Sequence, residues 1–202
     1  MELKMASSST EKQTRQRVPA AERRDALIEA AVHEFARTGL HGTPVDRIAR
    51  RVGVAQPYVF SLFPSKRELF IAAVERGFEL IGETFSRAAA EFDPEQAEPG
   101  TDVLLAMGQA YVAMLESNRD YLMLQHQAYA ACDDEHIRDH VRRCYAELVA
   151  HVERLSGAEQ EALDDFFRYG MWLNVAAAMG VQDLSAGCEW MREELAGEGA
   201  PA

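Results

Sequence analysis

Residues 43–67 read T-P-V-D-R-I-A-R-R-V-G-V-A-Q-P-Y-V-F-S-L-F-P-S-K-R and decide how the chain folds. Apolar side chains recur at helical spacing from Val45, so the stretch begins with a short helix. We expect Thr43 to be the N-cap of this helix. We also expect Pro44 to be its first residue, where a missing N–H has no cost.

A glycine and a second short helix complete the pattern. Gly53 can adopt the left-handed conformation that ends the first helix, and a second helix is predicted from Ala55 to Leu62. Because Ala49 and Gly53 are small, the two helix axes can cross closely at a steep angle. This is the sequence pattern of a helix–turn–helix, whose second helix lies in the DNA major groove.

The second helix of this motif divides by periodicity into two faces. Val59, Leu62 and Phe63 form the predicted inward face, which leaves the other side chains free to meet DNA. Gln can read adenine through two hydrogen bonds and Pro can touch a thymine methyl group. Arginines suit contacts to phosphate, and helix starts offer N–H groups to it. The candidate DNA-binding residues are Thr43, Arg47, Arg51, Gln56, Pro57, Tyr58, Ser61 and Lys66.

This region resembles the N-terminal DNA-binding domain of the tetracycline-repressor (TetR/AcrR) family of bacterial transcription regulators. The resemblance covers about sixty residues: A-L-I-E-A-A-V-H-E-F-A-R-T-G-L-H-G-T at 26–43, then I-A-R-R-V-G-V, then F-x-x-F-P-S-K-R-E-L at 60–69. The sequence departs from the family at Phe60, where the family usually has a Tyr whose hydroxyl contacts phosphate. Tyr58 is a candidate to supply that hydroxyl; the alternative is that both rings only pack.

The pattern and the resemblance together imply an all-α fold of about nine helices. An N-terminal three-helix helix–turn–helix domain would be followed by a helical domain for ligand binding and dimerisation. We expect a disordered basic tail over 1–19, the DNA-binding domain over 20–67, and the ligand-binding and dimerisation domain over 68–202. The basic residues of the tail are either solvated or a flexible arm that reaches a DNA groove; they are Lys12, Arg15 and Arg17.

Charge is divided unevenly along the chain. Residues 1–67 carry 12 Lys and Arg against 7 Asp and Glu, a balance of +5, and residues 68–202 carry 9 against 26, a balance of −17. A basic end on an acidic body is expected when only one end meets phosphates. An acidic surface that serves solubility explains the body, but it does not explain the basic N-terminal part.

Beyond residue 68, the resemblance implies a cavity walled mainly by the fourth to eighth helices. Apolar walls with a few polar groups suit a small hydrophobic or aromatic effector, although the same residue types also make an ordinary core. Asn174 differs, because a lone amide in an apolar helix needs a partner: a ligand, a dimer mate or a backbone carbonyl. The candidate ligand-binding residues are Tyr111, Met114, His126, Tyr129, Tyr145, Phe167 and Asn174.

The eighth predicted helix, residues 158–180, is apolar on nearly every side in its second half, Y-G-M-W-L-N-V-A-A-A-M-G-V. Such a helix has to be covered all round, so we expect a second copy of the chain to cover part of it. The resemblance implies the same arrangement, a four-helix interface made by the eighth and ninth helices of two subunits. The candidate homodimer interface residues are Phe166, Met171, Trp172, Val175, Met179 and Trp190.

A possible metal site is weaker. Cys132, His136, His140 and Cys144 recur every four residues, and an i, i+4 His pair can bind zinc. Ligands along one straight helix cannot close a tetrahedron around one ion, and the acidic neighbours suggest a solvated face. We predict no metal and no other cofactor, and leave zinc binding at these four residues to experiment.

Composition favours a soluble chain without catalytic machinery. Three cysteines without C-x-x-C spacing and a polar N-terminus predict a reduced, cytoplasmic protein. The longest apolar stretch, 169–181, is too short to span a bilayer. The sequence has no Gly-rich phosphate loop, nucleophile elbow or H-E-x-x-H motif, so we do not expect an enzyme. Two alternatives stay open: a helical carrier or enzyme with a vestigial DNA-binding head, and a module that binds another protein through its eighth helix.

Overall fold

The computed structural model describes residues 19–180, which form eight α-helices and no β-strand, so the predicted all-α fold is confirmed. Three sets of predictions lie outside the described residues: the tail cations Lys12, Arg15 and Arg17, the predicted ninth helix, and Trp190. The helices are α1 (Ala20–Gly42), α2 (Val45–Val52), α3 (Gln56–Leu62), α4 (Lys66–Glu91), α5 (Val103–Ser117), α6 (Arg119–Ala130), α7 (Glu135–Ser156) and α8 (Gln160–Met179).

Two glycines set the directions of the first three helices. Helical geometry in α1 is interrupted at Gly39, whose φ is 66°. Gly53 has a φ of 71°, and its N–H donates to the carbonyls of Ala49 and Arg50 at the end of α2. Both residues have a positive φ, which side chains with a Cβ resist. The predicted end of α2 at Gly53, in the left-handed conformation, is confirmed.

The prediction that Thr43 caps the next helix is wrong. The N-cap of α2 is Pro44, and no side chain caps it. Thr43 is buried, and its hydroxyl donates to the carbonyl of Gly39 at 2.7 Å and lies 2.7 Å from the hydroxyl of Thr38. The break at Gly39 leaves carbonyls of α1 without helical partners, and the Thr43 hydroxyl satisfies one of them.

The long helix α4 connects the helix–turn–helix to the rest of the chain. Ser65 caps it, since its hydroxyl accepts the backbone N–H of Glu68 at 3.2 Å. Its 26 residues span about 39 Å. The first turns pack on α1, where the rings of Phe35 and Phe70 meet edge to face at 5.0 Å.

The remaining helices pack around α4. Helices α5 and α7 lie against α4, α8 lies against α5, and α6 lies mainly against α1. Buried side chains from α1 to α8 form one continuous core. The predicted domain boundary after residue 67 falls in the first turn of α4, the core crosses it, and the boundary stays a prediction. None of the described helices is long and apolar enough to cross a membrane.

Candidate DNA interface and body pocket

The exposed side of α3 is the first candidate site. Val59 and Phe63 are buried, while Gln56, Pro57 and Ser61 are exposed. The Ser61 hydroxyl donates to the carbonyl of Tyr58, one turn earlier, at 2.6 Å. The helix therefore attaches to the core by one side and holds a mixed polar and apolar side away from it.

Two aromatic residues of α3 are placed differently. Tyr58 is half-buried and packs against the core, whereas Phe60 is 41 % exposed. Phe60 lies four residues after Gln56 and so shares its face of the helix. Sequence reasoning left Phe60 out of the candidate contacts because it is apolar, although its spacing from Gln56 indicated the position.

The candidate phosphate contacts on α2 are paired to an acidic residue of α1. The guanidinium of Arg47 lies 2.9 Å from Oε2 of Glu34, and that of Arg51 lies 3.4 Å from Oε1. Sequence reasoning missed Glu34. The available signal was its position in the apolar face of α1, three residues after Ala31, where a charged side chain has to be buried.

Two other candidates at helix starts are engaged inside the protein. The Lys66 ammonium donates to the carbonyls of Thr43 at 3.2 Å and His41 at 3.4 Å. The lysine thereby ties the first turn of α4 to the connection between α1 and α2. The hydroxyl of Thr43 is buried and does not face solvent, and the DNA contact expected at this position stays a prediction.

A buried polar network runs through the body. The Tyr111 hydroxyl donates to Oδ1 of Asn174 at 2.5 Å and lies 3.2 Å from Oε1 of Gln125. Gln125 in turn donates from Nε2 to the Tyr129 hydroxyl at 2.7 Å. His126 Nε2 lies 3.1 Å from the backbone oxygen of Asn174, which can only accept. Four of the predicted ligand-binding residues therefore meet here: Tyr111, His126, Tyr129 and Asn174. The side-chain amide of Asn174 is paired with a tyrosine, and not with a ligand, a dimer mate or a backbone carbonyl as the sequence suggested.

Burial changes the acidity of this network. Burial is the main reason why the pKa of the Tyr129 hydroxyl is raised to about 12, and it raises the pKa of the Tyr111 hydroxyl as well. Both hydroxyls therefore stay protonated at neutral pH and act as hydrogen-bond donors. Gln125 was not among the candidates, although it joins the two tyrosines.

Beside the network, a small apolar cavity of about 20 Å³ lies between α4, α5 and α6. That is room for about one water molecule. Met114, a predicted ligand-binding residue, lines it together with Gln125 of the network. The other lining residues are Val74, Gly77, Phe78, Ile81, Leu115, Tyr121 and Leu124.

The last two ligand candidates form a separate aromatic cluster. The rings of Tyr145 and Phe167 lie 5.6 Å apart, and Phe167 meets Phe166 at 5.3 Å. Phe166 also contacts Phe85 of α4 at 5.5 Å. Phe166, predicted to face a second copy, is thus packed at least partly inside its own chain.

One side of α8 carries exposed apolar residues. Met171, Val175 and Met179, spaced by four residues, are exposed and share one face of the helix, with Val175 47 % exposed. Trp172 is half-buried, with its ring stacked at 5.8 Å on that of Tyr169. Three predicted dimer-interface residues therefore form an uncovered stripe in this single chain.

The Cys/His segment is only partly the solvated face that the sequence suggested, since His136 is exposed while His140 is half-buried. His136 Nε2 lies 3.3 Å from Glu68, and His140 Nε2 lies 2.9 Å from Glu75, so both rings face α4. Cys144 is buried and Cys132 half-buried, both as free thiols. Within residues 19–180, no group of three or more metal-ligating side chains is arranged to hold an ion.

Comparison with known proteins gives the strongest match in the N-terminal part. Residues 27–73 match the family described as bacterial regulatory proteins, tetR family. The transcriptional activator FasR of Mycolicibacterium smegmatis is 42 % identical over 60 residues, which are 30 % of this chain and 27 % of FasR. The transcriptional repressor SCO4008 of Streptomyces coelicolor is 28 % identical over 139 residues, 69 % of this chain and 66 % of SCO4008. The chain thus spans less than two thirds of these curated relatives.

A solved structure extends the likeness through the body. The regulator FadR of Bacillus subtilis, crystallised with stearoyl-CoA, superposes with a TM-score of 0.61 over 79 % of this chain and 87 % of FadR. Its sequence is only 15 % identical. The likeness therefore concerns the fold: an N-terminal helix–turn–helix followed by a helical body.

Proposed function

We propose that this chain, whose residues 27–73 match the TetR family of bacterial regulatory proteins, is a dimeric transcriptional repressor released from a palindromic operator by a small hydrophobic or aromatic effector. The observation that carries the proposal is the outward side of α3, where Gln56, Pro57 and Ser61 are exposed and unneeded by the core. Side chains of these types can read base edges in the major groove.

Dimerisation supplies the second half of the recognition. Two helix–turn–helix units read half-sites about 34–36 Å apart, or a multiple of that, when a two-fold axis relates them. The exposed stripe of Met171, Val175 and Met179 supports a second copy of α8 as its cover. The same stripe could instead bind a different protein; a stable dimer of the purified chain, seen by light scattering, would remove the need for one.

The effector would enter between α4, α5 and α6. A cavity of about 20 Å³ is far smaller than the roughly 300–1,000 Å³ of ordinary ligand sites, so the structure corresponds to a closed body. Opening it would separate α4 from α6. This movement would reach the DNA-binding domain, because α4 begins at the helix–turn–helix and α6 packs on α1. An effector that binds only the open form would therefore favour a different spacing of the two DNA-binding domains, or heads, of the dimer.

Contacts between α6 and α1 support this coupling. His33 Nδ1 lies 2.6 Å from Oδ2 of Asp120, and the Tyr121 hydroxyl donates to Glu29 at 2.8 Å. Further along α6, Gln125 and Tyr129 belong to the buried network, beside which the effector would bind. One helix therefore carries both the contacts to the DNA-binding end and part of the candidate pocket.

Selection of bound duplexes from a random DNA pool tests the DNA-binding part. We expect a palindrome that Gln56→Ala binds roughly 5- to 150-fold more weakly than the wild-type protein does, because a bidentate base contact is worth roughly 1–3 kcal/mol. Gln160→Ala is the matched control, since Gln160 is exposed on α8 and bonds only Asp164 within the described residues. The proposal is falsified if the wild-type protein enriches no sequence.

The effector part is tested on the palindrome so obtained. A panel of compounds with apolar chains or aromatic rings, including fatty acids and acyl-CoA thioesters, is added to the protein–duplex complex. We expect a compound that releases the duplex to act more weakly when the small cavity is filled by Gly77→Ala, whose added Cβ lies 3.7 Å from the Tyr121 ring. Release that is unaffected by this substitution would place the effector elsewhere.

A further inference from the structure

Glu34 is a charged residue in the core of the helix–turn–helix. Its side chain is only 7 % exposed, whereas the side chains of Arg47 and Arg51, which flank it, are 41 % and 47 % exposed. The carboxylate belongs to α1 and the two guanidinium groups to α2. One buried acid thus faces two half-exposed bases across the helix–helix contact.

The backbone of Glu34 is also held in place. Its carbonyl accepts the hydroxyls of Thr38 and Thr43, each at 3.3 Å. Thr43 directly precedes α2, so the same residue of α1 contacts both the entry to α2 and its arginines. The position of the carboxylate relative to α2 is therefore fixed at two points.

The contact to Arg47 is close but poorly aligned. The distance from its guanidinium to Oε2 is 2.9 Å, yet within the described residues no donor makes an aligned hydrogen bond to that oxygen. Arg51 approaches Oε1 at 3.4 Å, at the long end of a hydrogen bond. Each guanidinium keeps N–H groups that can bond a second acceptor.

Stability alone does not account for a carboxylate here. Desolvation of a buried ion pair offsets most of its attraction, and apolar side chains of similar volume commonly do as well. The neighbours of Glu34 along the buried face of α1, such as Ala31 and Phe35, are apolar. The carboxylate is therefore better explained by what it does to the two arginines.

We propose that Glu34 is a positioning residue for DNA binding, which holds Arg47 and Arg51 side by side against α1 and offsets one of their two charges. This inference rests on the proposed function. The arginines then meet phosphates in a fixed register, while their attraction to DNA of any sequence is reduced. Glu34 itself does not touch DNA.

The charge part of the inference is tested by Glu34→Gln, which keeps the shape and removes one negative charge per head. Binding is measured on the selected palindrome and on a scrambled duplex, from about 50 to 300 mM salt. We expect the salt slope on the scrambled duplex to steepen by about 0.9 per head and affinity for it to rise roughly 3–10-fold near 0.1 M salt. Affinity for the palindrome should rise less, so the ratio of the two affinities falls.

Glu83→Gln is the matched control. Glu83 is also paired to an arginine, Arg76 at 3.0 Å, but both residues lie on α4 in the body. We expect its salt slope to equal that of the wild type. An equal steepening in both variants would mean that net charge, and not position, causes the effect, and would overturn the inference.

The positioning part is tested by Glu34→Asp, which keeps the charge on a side chain one methylene shorter. We expect an unchanged salt slope and several-fold weaker binding to the palindrome, because the carboxylate no longer reaches both arginines. Circular dichroism before each titration confirms folding. If Glu34→Gln does not fold, Glu34→Asp with wild-type affinity for the palindrome still overturns the inference.

The failures of the two proposals are distinguishable. If the wild-type protein selects no sequence, the proposed function fails and the role of Glu34 fails with it. If the wild type selects a palindrome but Glu34→Gln changes both affinities by the same factor, only the role of Glu34 fails. An equal change in both affinities is also what a loss of folded protein alone would produce.

Discussion

At the scale of single residues, the body is held by a polar pair buried in apolar surroundings. Asn174 is buried, and its amide oxygen accepts a hydrogen bond from the hydroxyl of Tyr111, which is also buried. A buried polar group without a partner costs about 1–3 kcal/mol. The pair therefore joins α5 to α8 only as long as both members are present.

Tyr111→Phe removes one member and leaves the Asn174 oxygen without its donor. We expect the free energy of unfolding to fall by about 1–3 kcal/mol, measured by urea denaturation. Tyr145→Phe is the control, because within the described residues the Tyr145 hydroxyl has no hydrogen bond and its ring contact to Phe167 survives the change. Equal losses in the two variants would contradict the role given to the pair.

At the scale of elements, glycines decide where helices end and how they cross. Gly53 turns the chain from α2 into α3 in a left-handed conformation, and an added Cβ there would meet no atom within 4 Å. The requirement at Gly53 is thus purely conformational. Gly170, by contrast, lies within α8, and an added Cβ there also meets nothing.

The same substitution should therefore have opposite signs at the two positions. Gly53→Ala is expected to lower the free energy of unfolding by about 1–2 kcal/mol through left-handed strain. Gly170→Ala is expected to raise it by about 0.5–1 kcal/mol, since alanine favours the helix. Thermal and urea unfolding of both variants measure this. A Gly53→Ala protein as stable as the wild type would show that the turn can be made in another conformation.

At the scale of the whole molecule, one connected scaffold joins a DNA-binding end to an uncovered apolar stripe. Helix α4 runs from the helix–turn–helix into the body, and the core is continuous along it. The stripe on α8 is formed by exposed Met171, Val175 and Met179. A dimer built on that stripe would fix the distance between two copies of α3.

Val175→Glu places a charge in the centre of the stripe and should convert the dimer into a monomer, because burying an unpaired carboxylate is strongly unfavourable. We expect half the molar mass in light scattering, an unchanged helical circular dichroism spectrum, and loss of palindrome binding. Ala162→Glu is the control: Ala162 is exposed and lies two and a half turns before Met171, on the opposite side of the helix. A dimeric Val175→Glu protein would move the interface elsewhere.

The sequence by itself determined the local structure of the DNA-binding part. The left-handed glycine at the end of α2 and the burial of Val59 and Phe63 were both predicted and are both present. These features depend on backbone conformation and on side chains within one or two helical turns. A periodic pattern of apolar residues contains that information directly.

Only the tertiary structure decided which distant side chains became partners. Glu34 faces Arg51 across 17 residues, Tyr111 faces Asn174 across 63, and His140 turns to Glu75 rather than to solvent. It also turned the Thr43 hydroxyl inward, away from the helix start where the sequence placed it. Each pairing follows from how two helices are packed and rotated against each other, and the spacing within either helix does not contain that angle.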